Sequence, residues 1–175
     1  LAESSQVQDP RFSFILLKSP QLNAFAAPGG IIGVNGGLFL YAQNEGEFAS
    51  VLAHELAHLS QRHFARGLEA RQQMQIPMMA AMLGGIIAMA AGAGAAGVAA
   101  IASSQAAAMQ AQQRVSRQNE QEADRIGMQT LGNAGYDPRS MPDMFNRLMS
   151  QYRYNSKPPE FLMSHPVTES RIADT

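Results

Sequence analysis

"VLAHELAHLSQRHF", residues 51–64, is the stretch on which the fold turns. His54, Glu55 and His58 fit the pattern H-E-x-x-H. Residues four apart on a helix share a face. His54 and His58 can therefore aim two imidazoles at one point about 2 Å beyond their ring nitrogens, as zinc requires. Glu55 follows His54 directly and projects to the side of that axis. It can reach a water held by the metal without binding the metal itself, which is the placement of a general base. The competing reading is a buried histidine pair on an amphipathic helix. A helix is expected in either case. Asn44 can cap it, with Glu47 three residues on as in a capping box. Phe48, Val51, Leu52, Leu56 and Leu59 then recur at helical spacing, predicting a helix over about 45–66 that ends near Gly67.

Two histidines do not complete a catalytic zinc site, which takes a third protein ligand and an open position. A third histidine six residues after the second is excluded, because Phe64 stands there and Gln61 precedes it where a glycine is needed. His63 lies five residues after His58, turned well away on a continuous helix, and is expected to be a surface histidine. The other source is a glutamate on a later helix. "RQNEQEADRIG" (117–127) offers Glu120 and Glu122. Glu120 and Asp124 are four apart and share a face, so Glu120 can bind metal while Asp124 orients a ligand histidine from behind. Glu122 points elsewhere. Taken alone, this segment also reads as a solvated acidic helix face. A di-iron site would need a second E-x-x-H besides Glu55–His58, and the chain has none.

The bulk numbers bound the alternatives. The chain has 175 residues, enough for one domain with a core, and its 46% hydrophobic content is that of a globular protein. A net charge of -1 offers nothing to nucleic acid or to an anionic membrane surface. With no cysteine, any zinc must be held by His, Asp or Glu. No basic-then-apolar leader is recognisable at Leu1.

Before the H-E-x-x-H helix, "RFSFILLK" (11–18), "LNAFAA" (22–27) and "IIGV" (31–34) read as three short strands, predicting a small and mostly antiparallel sheet. The strand "LNAFAA" is closed by Pro28-Gly29-Gly30, and "IIGV" by Asn35-Gly36-Gly37. From Gln72 to Gln113 there is no charged residue. Ala and Gly dominate this stretch, and each glycine costs a helix about 1 kcal/mol relative to alanine. It reads as two helices broken near Gly92–Gly97 and packed through small residues. A membrane span, or a peripheral membrane-contacting or lid role, are the alternatives. Residues 105–131 form a strong helix stopped by "GNAG" (132–135). Asp137-Pro138 then predicts the start of a helix over 138–152. "NSKPPE" (155–160) is expected to be a loop, and "SHPVTESRIAD" to open a last helix with Pro166 in its first turn.

"HELAH", "SRQNEQEADRIG" and "SHPVTESR", preceded by "NAFAAPGGIIGVNGGLF", occur in that order over most of residues 20–175. Together they resemble the gluzincin metallopeptidases of the CAAX-prenyl-protease type, and most of all the soluble periplasmic branch that acts in outer-membrane protein assembly. The resemblance implies an α+β, mainly helical, zincin-like domain. It would comprise a three-stranded sheet, an H-E-x-x-H helix, a second ligand helix and an Ala/Gly/Met-rich helical lid. It implies one zinc per chain on His54, His58 and Glu120, with Glu55 as general base and Asp124 behind a ligand. His165 and Arg171 are implied at the rim. His165 is a candidate fourth ligand that holds the enzyme shut, and either residue is a candidate for stabilising the oxyanion. It further implies a polypeptide substrate added as a strand along Ile31–Val34. Outer-membrane assembly partners, a periplasmic location and a role in quality control of stalled outer-membrane proteins belong to the same expectation. Residues 1–175 are expected to form one metallopeptidase domain. Within it 68–113 would be a hairpin or lid, membrane contact would fall on 76–101, and the C-terminal repeat domain typical of such proteins would be missing. The alternative function is a zinc-holding, chaperone-like module with little proteolysis.

Overall fold

The computed structural model describes residues 1–8, 11–154 and 158–175. The chain divides into two compact units, residues 1–64 with 119–175, and residues 65–118.

The first unit carries a three-stranded sheet of order β1-β3-β2, with β1 Ser13–Leu17, β2 Ala24–Ala27 and β3 Ile31–Asn35. The expected, mostly antiparallel sheet is corrected in one of its two pairings. β2 pairs antiparallel with β3, but β1 pairs parallel with it, Ser13 opposite Ile31 and Leu17 opposite Asn35. Parallel neighbours need a crossover between them. β2 and its flanking turns supply it, so short connections did not guarantee a meander. The topology also corrects the expected docking of a peptide along Ile31–Val34. β3 is the central strand, paired along that whole stretch on both sides, and it has no free edge. Gly33 is needed there because the ring of Phe25, its partner on β2, lies where a side chain would stand.

Asn35-Gly36-Gly37 does not simply close the strand. It leads into a short helix, α1 Gly36–Tyr41, absent from the sequence reading. Gly37 sits against the carbonyls of Pro20 and Gln21, so its small size serves a close approach. Helix α2, Glu45–Ser60, starts as expected: Asn44 Oδ1 accepts from the Glu47 N–H at 2.8 Å. The Glu47 carboxylate turns back to accept from Gln43 N–H at 2.8 Å and is held by Arg147 at 2.7 Å. α2 ends earlier than predicted. Arg62 takes φ 54, in the left-handed region, and a new helix, α3 His63–Ala90, begins at once and runs through Gly67. No glycine or proline marks that break, which is why periodicity missed it.

α4 spans Gly94–Asn133, and the turn between α3 and α4 is made by Gly92 at φ 86, at the near edge of the predicted break. Within the second unit the two helices meet through glycines. A Cβ on Gly85 would stand 2.8 Å from the Gly97 carbonyl oxygen, and one on Gly97 would meet Gly85 in turn. Among the described residues one helix, His63–Ala90, is long and apolar enough to cross a membrane by length and composition.

Helix α5, Ser140–Tyr154, packs on α2, while α2 also covers β2. Their shared core includes Ile32, Leu56, Met144, Leu148 and Phe161, all at most 2% exposed. Of the expected loop at 155–160, residues 155–157 lie outside the described residues, and Glu160 begins a short helix, α6 Glu160–Ser164. The last helix, α7 Glu169–Asp174, starts later than predicted: Thr168 caps it, and Pro166 lies between α6 and α7.

Candidate metal centre

His54 and Glu55 are both 1% exposed, on the face of α2 that turns into the first unit. Glu120 and Asp124 approach them from α4. That approach depends on Gly127, whose Cα passes the α2 backbone at Ala53 and His54. A Cβ there would meet His54 N at 3.3 Å and Met141 Cε at 2.8 Å. His165 arrives from the segment after α6, where its N–H donates to the Phe161 carbonyl at 2.8 Å. The Phe161 ring stacks on the His165 imidazole, centroids 4.7 Å apart, and fixes its plane.

One ligand atom from each of His54, His58, Glu120 and His165 falls within 4.8 Å of the others. His54 Nε2 lies 3.0 Å from His58 Nε2, 3.3 Å from His165 Nδ1 and 3.3 Å from Glu120 Oε2. Both helix histidines thus present Nε2 to one point, with the Glu120 carboxylate and His165 Nδ1 on its other sides. The far nitrogen of His54 is engaged as well: Nδ1–H donates to Asp124 Oδ1 at 2.9 Å. Arg171 clamps the same carboxylate with Nε to Oδ2 and Nη2 to Oδ1, both at 2.7 Å. Its Nη1 donates to the Pro166 carbonyl and lies 3.0 Å from Glu120 Oε2. Arg171 is 2% exposed, so it sits behind the ligand cluster with its fork engaged.

The electrostatics follow from this packing. Burial opposes charge on His54, but the hydrogen bonds to Asp124 and Glu120 outweigh it and raise its pKa to about 9. Burial also works against a charged Glu120, yet His165 and His54 hold its carboxyl far below the usual range. Asp124 is likewise held low against its burial, by Arg171 and His54. Glu55 goes the other way. Burial pushes its carboxyl up, against the pull of His165, His54 and the Ala26 backbone N–H on β2. Its Oε1 is buried and has no hydrogen-bond partner among the described residues, although His165 Nε2 stands 3.3 Å away outside hydrogen-bonding geometry. The donor set suits zinc: imidazole nitrogens and one carboxylate, with one ligand ring already oriented by a carboxylate.

The profile of peptidase family M48 matches residues 1–175. The chain belongs to peptidase family M48. It is 46% identical over 175 residues to a Vibrio cholerae protein whose name places it with the beta-barrel assembly-enhancing proteases; the match covers all of this chain and 36% of that one. The beta-barrel assembly-enhancing protease of Escherichia coli is 42% identical over 174 residues, covering 99% of this chain and 35% of that protein. The mitochondrial metalloendopeptidase OMA1 of Saccharomyces cerevisiae is 30% identical over 154 residues, 86% of this chain and 41% of that one. The chain thus spans about a third of the length of the bacterial relatives it matches. Family and relatives support a metalloendopeptidase, and an M48 domain implies a metal.

Of the residues singled out in the sequence, this M48 domain brings His54, Glu55, His58, Glu120, Asp124, His165 and Arg171 into one cluster. His63 corrects the sequence reading. It is 5% exposed, not on the surface, with Nδ1 2.9 Å from His58 Nδ1. Glu122 stays outside the ligand cluster, as expected, and its Oε2 lies 3.2 Å from His63 Nε2. The early end of α2 at Arg62 is what folds His63 back, and no local pattern announces it. Phe161 was also missed, since it falls between the expected loop at 155–160 and the expected last helix and was given no role.

Proposed function

We propose that this domain is a zinc-dependent endopeptidase with His54, His58 and Glu120 as metal ligands and Glu55 as general base. The observation that carries the reading is the convergence of four ligand atoms within 4.8 Å beside a buried, unpartnered Glu55 oxygen. Zinc bound there supplies Lewis acidity to a water and to the substrate carbonyl. Glu55 takes the water's proton on Oε1 and delivers it to the leaving amine. Asp124 fixes the His54 tautomer with Nε2 free. Arg171, fully engaged with Asp124, Glu120 and the Pro166 carbonyl, positions those groups, which leaves the oxyanion to His165.

His165 has a second part in this reading. Its Nδ1 lies in the ligand ring and its Nε2 faces Glu55, so one imidazole occupies both the fourth ligand position and the path to the base. Displacing it would open the site, and residues 68–113 acting as a lid are the candidate trigger. The peptide strand, excluded from β3, is assigned to the outer edge of β2, which no other strand among the described residues covers. Asn35 N–H donates to the Asn23 carbonyl at 3.0 Å. The antiparallel alternation then turns the backbone groups of Ala24 and Ala26 away from β3. Ala26 is also the residue whose N–H faces Glu55. The relatives' name, beta-barrel assembly-enhancing protease, supports β-barrel proteins undergoing assembly as substrates; that these are stalled or misfolded outer-membrane proteins in the periplasm rests on the resemblance of the sequence motifs. Apolar residues of 76–101 such as Ile76, Met79, Ile86 and Ile87 are exposed and give that segment a peripheral membrane contact.

The test is Glu55→Gln, assayed for zinc content and for cleavage of an unfolded β-barrel protein. Zinc is retained and cleavage is lost by at least about a hundredfold, the usual contribution of a positioned acid–base group. Cleavage by the variant at the wild-type rate sinks the assignment. A wild type that holds zinc and client without cutting favours the chaperone-like alternative.

A further inference from the structure

We propose that His63, backed by Glu122, is a positioning residue for the metal centre, fixing the tautomer and ring plane of His58. The inference rests on the metal reading above and extends it to a residue outside the ligand set. Its basis is proton placement. Glu122 is a carboxylate, and its Oε2 lies 3.2 Å from His63 Nε2, so it accepts from an N–H on that nitrogen. A neutral imidazole carries one N–H, which leaves His63 Nδ1 as an acceptor. That atom is 2.9 Å from His58 Nδ1, which must therefore be the donor. With its proton on Nδ1, His58 has the lone pair of Nε2 free. Nε2 is the atom that faces His54 Nε2 at 3.0 Å and Glu120 Oε1 at 3.4 Å. With His63 neutral, the order Glu122, His63, His58 passes one N–H along each contact, and that arrangement leaves His58 Nε2 as a ligand.

The backbone is shaped for this contact. On an unbroken helix His63 would point roughly 140° away from His58, at about 100° per residue. Instead α2 stops at Ser60, Arg62 adopts φ 54, and α3 restarts at His63. A non-glycine residue in the left-handed region is uncommon and calls for a compensating reason. The return of His63 to 4.8 Å from the His58 ring centroid, edge-on at 80°, supplies one. The two helix ligands are then oriented by different means. His54 leans on Asp124 and Arg171, whereas His58 leans on a second histidine with a carboxylate behind it.

The experiment is zinc affinity of the intact chain, by competition with a chromogenic chelator, alongside thermal melting of the metal-free protein. His63→Ala lowers zinc affinity about 10- to 100-fold, the usual cost of losing an outer-shell partner. His63→Asn, whose side-chain oxygen can accept in place of Nδ1, recovers most of that loss. Glu122→Ala, on a partly exposed side chain, lowers affinity about tenfold by the same principle and substitutes if His63→Ala fails to fold. Affinity within about threefold of wild type in His63→Ala, or in Glu122→Ala where that variant replaces it, overturns the proposal, since it falls below the outer-shell range. So does an equal loss in His63→Ala and His63→Asn, because burial without the hydrogen bond would then explain it. A wild type that takes up no zinc would instead fail the metal reading itself, and this inference with it.

Discussion

Gly127→Ala tests how the site is assembled, because it adds one methyl where α4 crosses α2. The new Cβ would stand 2.8 Å from Met141 Cε, 3.3 Å from His54 N and 3.4 Å from Ala53 C. Met141 can swing its terminal methyl aside, but the α2 backbone cannot move without moving His54. The helices must therefore separate by a few tenths of an ångström. Overpacking of this kind costs about 1–3 kcal/mol. Alanine returns about 1 kcal/mol of helix propensity over glycine. The net destabilisation of the metal-free protein is then about 0–2 kcal/mol. Function suffers more than stability. Asp124 is one turn and Glu120 two turns from the contact, and the 2.9 Å bond from His54 to Asp124 stretches with the gap. Zinc affinity falls about tenfold, within the range for a disturbed outer shell. Gly127→Val widens the gap further, giving the order Gly, Ala, Val in both melting temperature and chelator competition. A Gly127→Ala protein that melts higher than wild type and binds zinc unchanged would refute the close-approach argument.

Glu47 makes stability depend on acid. Burial raises its carboxyl, but Arg147 and the Gln43 N–H outweigh that and hold it below its ordinary 4.5. Its stabilisation is therefore full above that value and is lost as pH falls through the lower folded value. Glu47→Gln loses about 1.5–3 kcal/mol at neutral pH, as expected for a charged hydrogen bond, and flattens this part of the acid limb in pH-dependent melting. Arg171→Met leaves Asp124 without its clamp and destabilises the metal-free protein by about 3–5 kcal/mol. The loss is smaller with zinc bound, because a cation then remains beside Glu120; equal losses in calorimetry with and without zinc would contradict the arrangement. His165→Ala raises the rate of cleavage of an unfolded substrate if the imidazole holds the site shut. Unchanged cleavage removes the self-inhibition, and slower cleavage removes it while matching the oxyanion role given to His165.

Local chemistry was the legible part of the sequence. His54, Glu55 and His58 sit on one helix, where spacing alone fixes which way each side chain points. Glu120 and Asp124 were separable from Glu122 by the same periodicity, since only the pair four apart meets the α2 face. Whatever depended on a change of chain direction was not legible. His63 was placed on the surface because a continuous helix puts it there, and the break at Arg62 has no glycine or proline to announce it. The parallel pairing of β1 with β3 is decided by which side of β3 the chain crosses to, and a run of apolar residues carries no such information. Arg171 could be named from its motif, but its burial against Asp124 depends on α7 docking beside α4.

Charge explains why these groups are found together at all. Glu55, Glu120 and Asp124 are buried carboxylates, and Arg171 is the one permanent cation among them in the described cluster. A buried charge without a partner costs several kcal/mol, so a cluster with two carboxylates in excess would not be tolerated as it stands. Protons can supply part of the compensation: hydrogen bonds to Asp124 and Glu120 raise His54 to about 9, and burial pushes the Glu55 carboxyl up. On the proposed reading, a divalent cation at the point shared by His54, His58 and Glu120 would supply the same two charges without protonating either group. It would also leave Glu55 ionised, the state a general base requires. The same balance accounts for the choice of Arg171 over a lysine. Asp124 must stay charged to hold His54, and only a planar fork can grip that carboxylate at both oxygens while still reaching Glu120. Arg171→Lys keeps the charge and loses the fork, so it separates the two roles. If charge alone mattered, Arg171→Lys would match wild type in zinc affinity. With the geometry on both oxygens at 2.7 Å, it falls between wild type and Arg171→Met.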